Sequence, residues 1–148
     1  MRYFLGIDGG GSKTHALVAD ENGQALGFAR GGPGSWEVVG YTGVADSLRD
    51  VTSRALKEAG LAINQVTSTG LGLAGFDWPS QEAAHLKAIT AAGINPPFRL
   101  VNDTVLGIVA GASEGWGIAV VSGTGCNCRG ISRAHQRQAR VVGGAGLW

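Results

Sequence analysis

The chain has no long apolar run, no excess of one charge and almost no cysteine, and each lack closes off a class of function. No stretch reaches the roughly 18 consecutive apolar residues that a membrane-crossing helix needs. With 12 Lys and Arg against 11 Asp and Glu the net charge is +1. That balance gives no electrostatic case for nucleic acid or an anionic membrane as partner. Cys126 and Cys128 are the only cysteines in 148 residues. One residue apart, they form neither a zinc knuckle nor a disulfide framework, so a reduced, cytoplasmic chain is expected. The opening Met-Arg-Tyr-Phe-Leu runs straight into a β-prone segment and lacks the pattern of a signal peptide.

Glycine, by contrast, is abundant, with 26 residues. The most informative cluster is Gly6-Ile7-Asp8-Gly9-Gly10-Gly11-Ser12-Lys13-Thr14, set between β-prone apolar runs at 3–7 and 16–19. The pattern predicts strand, tight turn, strand. Gly9, Gly10 and Gly11 permit positive φ and offer N–H groups with no side chain in the way, a concavity suited to a phosphate chain. Asp8, at the mouth, can hold Mg²⁺ through its waters, while Lys13 and the hydroxyls of Ser12 and Thr14 can meet phosphate oxygens. For this turn taken alone, a hairpin with solvated polar residues explains the sequence equally well.

Periodicity organises the rest. Strands at 2–8, 14–20 and 24–30 form an antiparallel meander, with Asp20-Glu21-Asn22-Gly23 as its second turn. Tyr41, Val44, Leu48, Val51, Ala55 and Ala59 recur at helical spacing over 37–59, and Gly60 is the expected stop. A strand at 66–74 follows, then a helix over about 80–92 capped by Asp77 or Ser80. A short strand at 98–102 leads through Asp103 into a third helix marked by Val105, Ile108, Val109 and Ala112. The order βββαβαβα predicts an α/β domain over 1–112, its mixed sheet antiparallel at the start and parallel through βαβ units. A strand at 116–122, the turn Ser122-Gly123-Thr124-Gly125 and a return strand from Cys128 to Ser132 then repeat the opening pattern. Residues 113–148 are therefore expected to be the truncated start of a second copy.

One motif is a decoy. Gly70-Leu71-Gly72-Leu73-Ala74-Gly75 satisfies G-x-G-x-x-G, but Phe76-Asp77-Trp78-Pro79 interrupts any helix opening there and residues 88–102 hold no acid. Two glycine turns, each bearing hydroxyls and each between strands, carry more weight: facing across a cleft they can grip a triphosphate from both sides. Asp103 sits where a strand end meets a helix, the usual address of a functional group in an open α/β sheet. It is also a good N-cap residue, and the two roles are compatible. An alcohol attacking phosphorus must lose its proton, and a positioned carboxylate can accept it. Asn127 offers a donor and acceptors to sugar hydroxyls, while Cys126 and Cys128 read by default as small hydrophobes. Trp36 and Trp78 either stack on a sugar or cover core. His15, His85 and His135 share no spacing with acids or cysteines and are assigned no chemistry.

Taken in order, residues 6–14, Gly72-Leu73-Ala74-Gly75, Asn102-Asp103 and Ser122-Gly123-Thr124-Gly125-Cys126-Asn127-Cys128-Arg129 resemble the BadF/BadG-type ATPase family. Within it the chain looks most like the N-acetylglucosamine kinases of the sugar kinase/Hsp70/actin superfamily. The resemblance implies two ribonuclease-H-like domains with ATP in the cleft, Mg²⁺ beside Asp8, and an amino sugar as the small-molecule partner; a homodimer is compatible with it. Residues 8–14 correspond to the first phosphate loop, 122–125 to the second, and Asp103 to the catalytic base. Ser35, Trp36, Gly75, Asp77, Asn127 and Cys128 fall along the sugar pocket. Two positions depart from the pattern: Ser35 stands where amino-sugar kinases carry Asn, and Ala74 where they carry Ser. Both changes remove polar groups that hold sugar hydroxyls. The same family also contains activating ATPases of the 2-hydroxyacyl-CoA dehydratase/benzoyl-CoA reductase type, a competing expectation. A non-catalytic fragment is a third, since half a cleft should bind ATP weakly.

Overall fold

Residues Tyr3–Gly9 (β1), Thr14–Asp20 (β2) and Ala25–Gly31 (β3) alternate between buried and more exposed positions, the period-two signature of strands with one face on a core. They are followed by α1 (Trp36–Ala59), β4 (Val66–Leu73), α2 (Glu82–Ala91), β5 (Phe98–Asn102) and α3 (Asp103–Gly111), and then by β6 (Gly117–Ser122), β7 (Cys126–Ile131) and β8 (Arg140–Ala145). The βββαβαβα order expected for the first 112 residues is the one observed. The structure is a computed structural model and describes residues 1–95, 97–122, 126–135 and 140–145.

The first five strands form one sheet in the order β3-β2-β1-β4-β5. β1 pairs antiparallel with β2 and parallel with β4, and β4 pairs parallel with β5. The carboxyl ends of β1, β4 and β5 therefore lie along one edge. On one face of the sheet Leu5, Ile7, Ala16, Val18, Leu71 and Leu73 pack against Val44, Leu48, Val51 and Ala55 of α1 and against Ala88 and Ile89 of α2. The helical run of α1 is interrupted at Gly40 (φ 65°, ψ 170°), which sets Trp36 and its turn at an angle to the main helix. Gly60, in the left-handed region, ends it as expected.

Helix α3 lies on the other face. Gly72, of opposite parity to Leu71 and Leu73, faces it, and a Cβ there would fall 2.4 Å from Leu106. The next residue of α3, Gly107, meets the second sheet, its built Cβ lying 3.1 Å from the Ala119 methyl. That sheet is antiparallel in the order β6-β7-β8. α3 is thus wedged between the two sheets.

Three details differ from the sequence-based expectation. α2 begins at Glu82 because Pro79–Gln81 form a 3₁₀ turn, and neither Asp77 nor Ser80 caps it. α2 has no side-chain cap; Gln81 Oε1 instead closes the 3₁₀ turn ahead of it, accepting the N–H groups of Asp77 and Trp78 at 2.8 and 2.9 Å. The return strand starts at Cys126 rather than Cys128, because the hairpin register pairs Ser122 with Cys126. β8 was not anticipated, since its Gly143 and Gly144 suppress the strand signal.

β3 is an edge strand, and α1 covers its free polar groups. The Phe28 N–H donates to the Glu58 carboxylate at 3.0 Å, and Arg54 donates to the Arg30 carbonyl at 2.7 Å while paired with Asp50 one turn back. This is possible because strand and helix nearly touch: a Cβ on Gly27 would sit 2.2 Å from the Ala55 carbonyl oxygen and 2.7 Å from the Ala59 nitrogen. Both obstacles are backbone and cannot rotate away. Gly27→Ala should therefore cost about 3 kcal/mol or more of stability, at the upper end of overpacking penalties. A urea melt showing less than about 1 kcal/mol lost would contradict this contact.

Candidate active site

The edge where β1, β4 and β5 end gathers three carboxylates. Asp8 is the penultimate residue of β1 and is exposed, Asp77 follows β4, and Asp103 opens α3 immediately after β5. The β1–β2 turn beside them is closed by the Gly10 N–H donating to the Lys13 carbonyl at 2.8 Å. It is tied down on two sides: Gly34 N–H donates to the Gly10 carbonyl at 2.9 Å, and Ala74 N–H to the Gly9 carbonyl at 2.7 Å. The loop from 9 to 13 therefore rests on the segments at 34 and 74, both of them placed by sequence in the candidate sugar pocket.

None of Gly9, Gly10 and Gly11 takes a positive φ, contrary to the conformational part of the expectation. Space is the reason at Gly9, whose built Cβ falls 2.7 Å from Leu73, and at its neighbour Gly34, whose Cβ would lie 2.5 Å from Thr14 Oγ1. Gly11, Ser12 and Lys13 are exposed on the loop. Thr14 is not: fully buried, it donates its hydroxyl to the Gly32 carbonyl at 2.8 Å. Of the second glycine turn only Ser122, exposed, is described; Gly123, Thr124 and Gly125 lie outside the described residues.

The proposed pocket residues divide. Trp36 Nε1 donates to the Gly75 carbonyl at 2.8 Å, and its ring stacks on Tyr41 with centroids 5.3 Å apart. Tyr41 and Phe76 both meet the buried His85 edge-on at 5.1 Å. Trp36 is thus committed on one side to fixing the 75–76 turn. Gly75 has φ +79°, and a Cβ on it would lie 2.8 Å from Trp36 Nε1 and 3.1 Å from the buried Ser35 hydroxyl. Asn127 and Arg129 share a face of β7 by alternation, whereas Cys128 points to the opposite one. The Asn127 Oδ1 is buried without a hydrogen-bond partner among the described residues.

Asn102, not Asp103, is the N-cap of α3: its Oδ1 accepts the Thr104 N–H at 3.0 Å. Its Nδ2 donates to the Phe76 carbonyl at 3.2 Å and to Asp77 Oδ1 at 3.1 Å. Asp77 is also ion-paired with Arg129. Sequence reasoning gave neither Asn102 nor Arg129 a role. Burial pushes the Asp103 carboxyl above its ordinary pKa; the Thr104 N–H opposes the shift, and the nearby charges of Asp8 and Asp77 add to it. A half-buried carboxylate that is held somewhat basic can accept a proton from a bound hydroxyl.

The profile of the BadF/BadG/BcrA/BcrD ATPase family matches residues 5–146. The chain belongs to that family. It is 29% identical over 143 residues to the N-acetylmuramic acid/N-acetylglucosamine kinase of Clostridium acetobutylicum, a match covering 97% of this chain and 46% of that protein. It is 31% identical over 147 residues to the glucosamine kinase GspK of Vibrio cholerae, covering 97% and 47% respectively. This family member thus spans about half the length of the curated relatives it matches. Among solved structures it is similar to a putative N-acetylglucosamine kinase from Chromobacterium violaceum, with a TM-score of 0.73 and 26% identity over 99% of this chain and 50% of that one. It shares its fold with a ROK family glucokinase from Streptomyces griseus, at a TM-score of 0.61 and 23% identity, over 93% of this chain and 46% of that one.

Two outcomes test the site's physics. A carboxyl with a raised folded-state pKa holds its proton more tightly folded than unfolded, so it subtracts stability as pH rises from the ordinary carboxylate value through the raised one. Asp103→Asn should therefore be more stable than the wild type at pH 7, and the gain should vanish below about pH 4; thermal melts at both pH values check it. Trp36→Phe, which keeps the ring but loses the bond to Gly75, should cost about 1 kcal/mol, and an unchanged denaturant midpoint would deny that bond any net value.

Proposed function

We propose that the intact protein is an ATP-dependent amino-sugar kinase and that Asp103 is its general base. The observation that supports this most is the placement of a half-buried carboxyl of raised pKa at the carboxyl ends of the parallel strands, beside the glycine turn 9–13. The names of the relatives favour an amino sugar, N-acetylglucosamine or glucosamine, as acceptor. In this reading the sugar hydroxyl oxygen attacks the γ-phosphorus and its proton passes to Asp103. The bond from the γ-phosphorus to the β,γ-bridging oxygen breaks and ADP leaves. N–H groups of residues 11–13 and the Lys13 ammonium meet the phosphate oxygens, with residues 122–125 taken as the second phosphate loop.

Among the described residues no three His, Cys, Asp or Glu side chains stand close enough to hold a metal ion by themselves. Mg²⁺ keeps several waters and takes one or two carboxylates besides phosphate; exposed Asp8 is the residue that would hold it through water. When bound with ATP the ion neutralises charge on the phosphates. Ser35, Trp36, Gly75, Asp77, Asn127 and Cys128 remain the pocket set, with two qualifications. Arg129 and Asn102 both occupy Asp77 Oδ1, so Asp77 would meet the sugar through Oδ2, and Cys128 lies on the opposite face of β7 from Asn127. Residues 113–148 begin a second domain, a reading supported by the antiparallel meander β6-β7-β8, which has the sense of β1-β2-β3. Among the described residues no helix is long and apolar enough to cross a membrane; we propose that the kinase works in the cytoplasm.

The test is ATP-dependent phosphorylation by the intact protein with glucosamine, N-acetylglucosamine, glucose and no sugar. Asp103→Asn should lower kcat by roughly 10²- to 10⁴-fold. ATP hydrolysis indifferent to sugar would overturn the kinase reading and favour an activating ATPase.

A further inference from the structure

Arg129 is the most deeply buried guanidinium among the described residues, its side chain 5% exposed. An arginine buried this far is costly unless its charge is met, and what meets it lies outside its own sheet. Asp77, in the turn after β4 of the first sheet, is paired with it across 52 residues of sequence. The same Asp77 oxygen accepts the Asn102 amide at 3.1 Å, and the other end of that amide caps the Thr104 N–H at 3.0 Å. Asp103 lies between these two residues and itself accepts the Thr104 N–H at 2.9 Å. A continuous run of polar contacts therefore leads from β7 to the two neighbours of Asp103. Among the described residues the Arg129 Nε is buried without a hydrogen-bond partner.

We propose that Arg129 is a positioning residue. By holding Asp77 it fixes Asn102, and through Asn102 the first turn of α3 that carries Asp103, so the second sheet sets the orientation of the base. This rests on the reading of Asp103 as general base. The charged groups around Asp103 are Asp8 from β1, Asp77 from the turn after β4 and Arg129 from β7. Arg129 is the cation among them, and it acts through Asp77.

Hydrogen exchange and kinetics together decide the matter. In Arg129→Gln and in Asp77→Ala, exchange of the Thr104 amide should quicken about tenfold, while the Leu5 and Ile7 amides of β1 keep their wild-type rates. Arg129→Lys, which keeps the charge, should fall between. Unaltered Thr104 exchange, or an equal rise at Thr104, Leu5 and Ile7, overturns the proposal; the second pattern is that of general destabilisation. In the intact enzyme Arg129→Gln should lower sugar-dependent kcat roughly ten- to a hundredfold with KM for ATP unchanged, and Arg129→Lys should recover part of it. A kcat within twofold of wild type in Arg129→Gln also overturns it. If the wild-type protein phosphorylates no sugar, the kinase reading fails, and the exchange pattern still shows whether Arg129 holds the first turn of α3.

Discussion

β1 is paired on both sides, antiparallel to β2 and parallel to β4, and the site depends on that double pairing. The antiparallel partner can follow after a tight turn, so a glycine loop sits directly at the end of β1. The parallel partner requires a crossover, so α1 must span the sheet before β4 begins. The two requirements bring the turn 9–13, the segment 74–77 and the start of α3 to one edge with little loop between them. The Gly9 carbonyl bonded to the Ala74 N–H joins the glycine turn to the segment 74–77 in a single contact.

Charge at that edge is arranged unevenly. Three carboxylates face one another, and only one arginine among the described residues reaches them. Asp77 is paired with Arg129, Asp8 faces solvent, and Asp103 has its pKa raised, first by burial and then by the charges of the other two. Three acids at one edge thus differ through their surroundings alone.

Much of this was legible in the chain. The element order followed from the change of period between strands and helices, and Asp103 from an acid placed directly after a short apolar strand. The parity of β2 alone assigns Thr14 to the core, since it shares a face with Ala16 and Val18, although its place beside the glycine turn suggests a phosphate contact. The glycines at 9 and 34 could not be read correctly, because their crowding comes from residues distant in sequence, Leu73 for Gly9 and Thr14 for Gly34, and appears only after folding. Arg129 was missed for a related reason. Its parity with Asn127 was visible, but that this face of β7 turns inward depends on α3 lying between two sheets, and a lone arginine in a strand ordinarily points to solvent. The uncapped start of α2 was hidden because Gln81 turns its side chain back to the Asp77 and Trp78 N–H groups instead of forward to the helix.

The covering of β3 has a consequence of another kind. A bare edge strand is a template on which any extended chain can dock, and β-rich proteins risk joining edge to edge by that route. Here the Phe28 N–H and the Arg30 carbonyl, the groups an incoming strand would need first, already belong to Glu58 and Arg54. With Phe28 half-exposed beside them, that margin would otherwise be a sticky one. α1 thus serves as a selvage for the sheet, finishing its outer margin against unravelling or extension by a stranger.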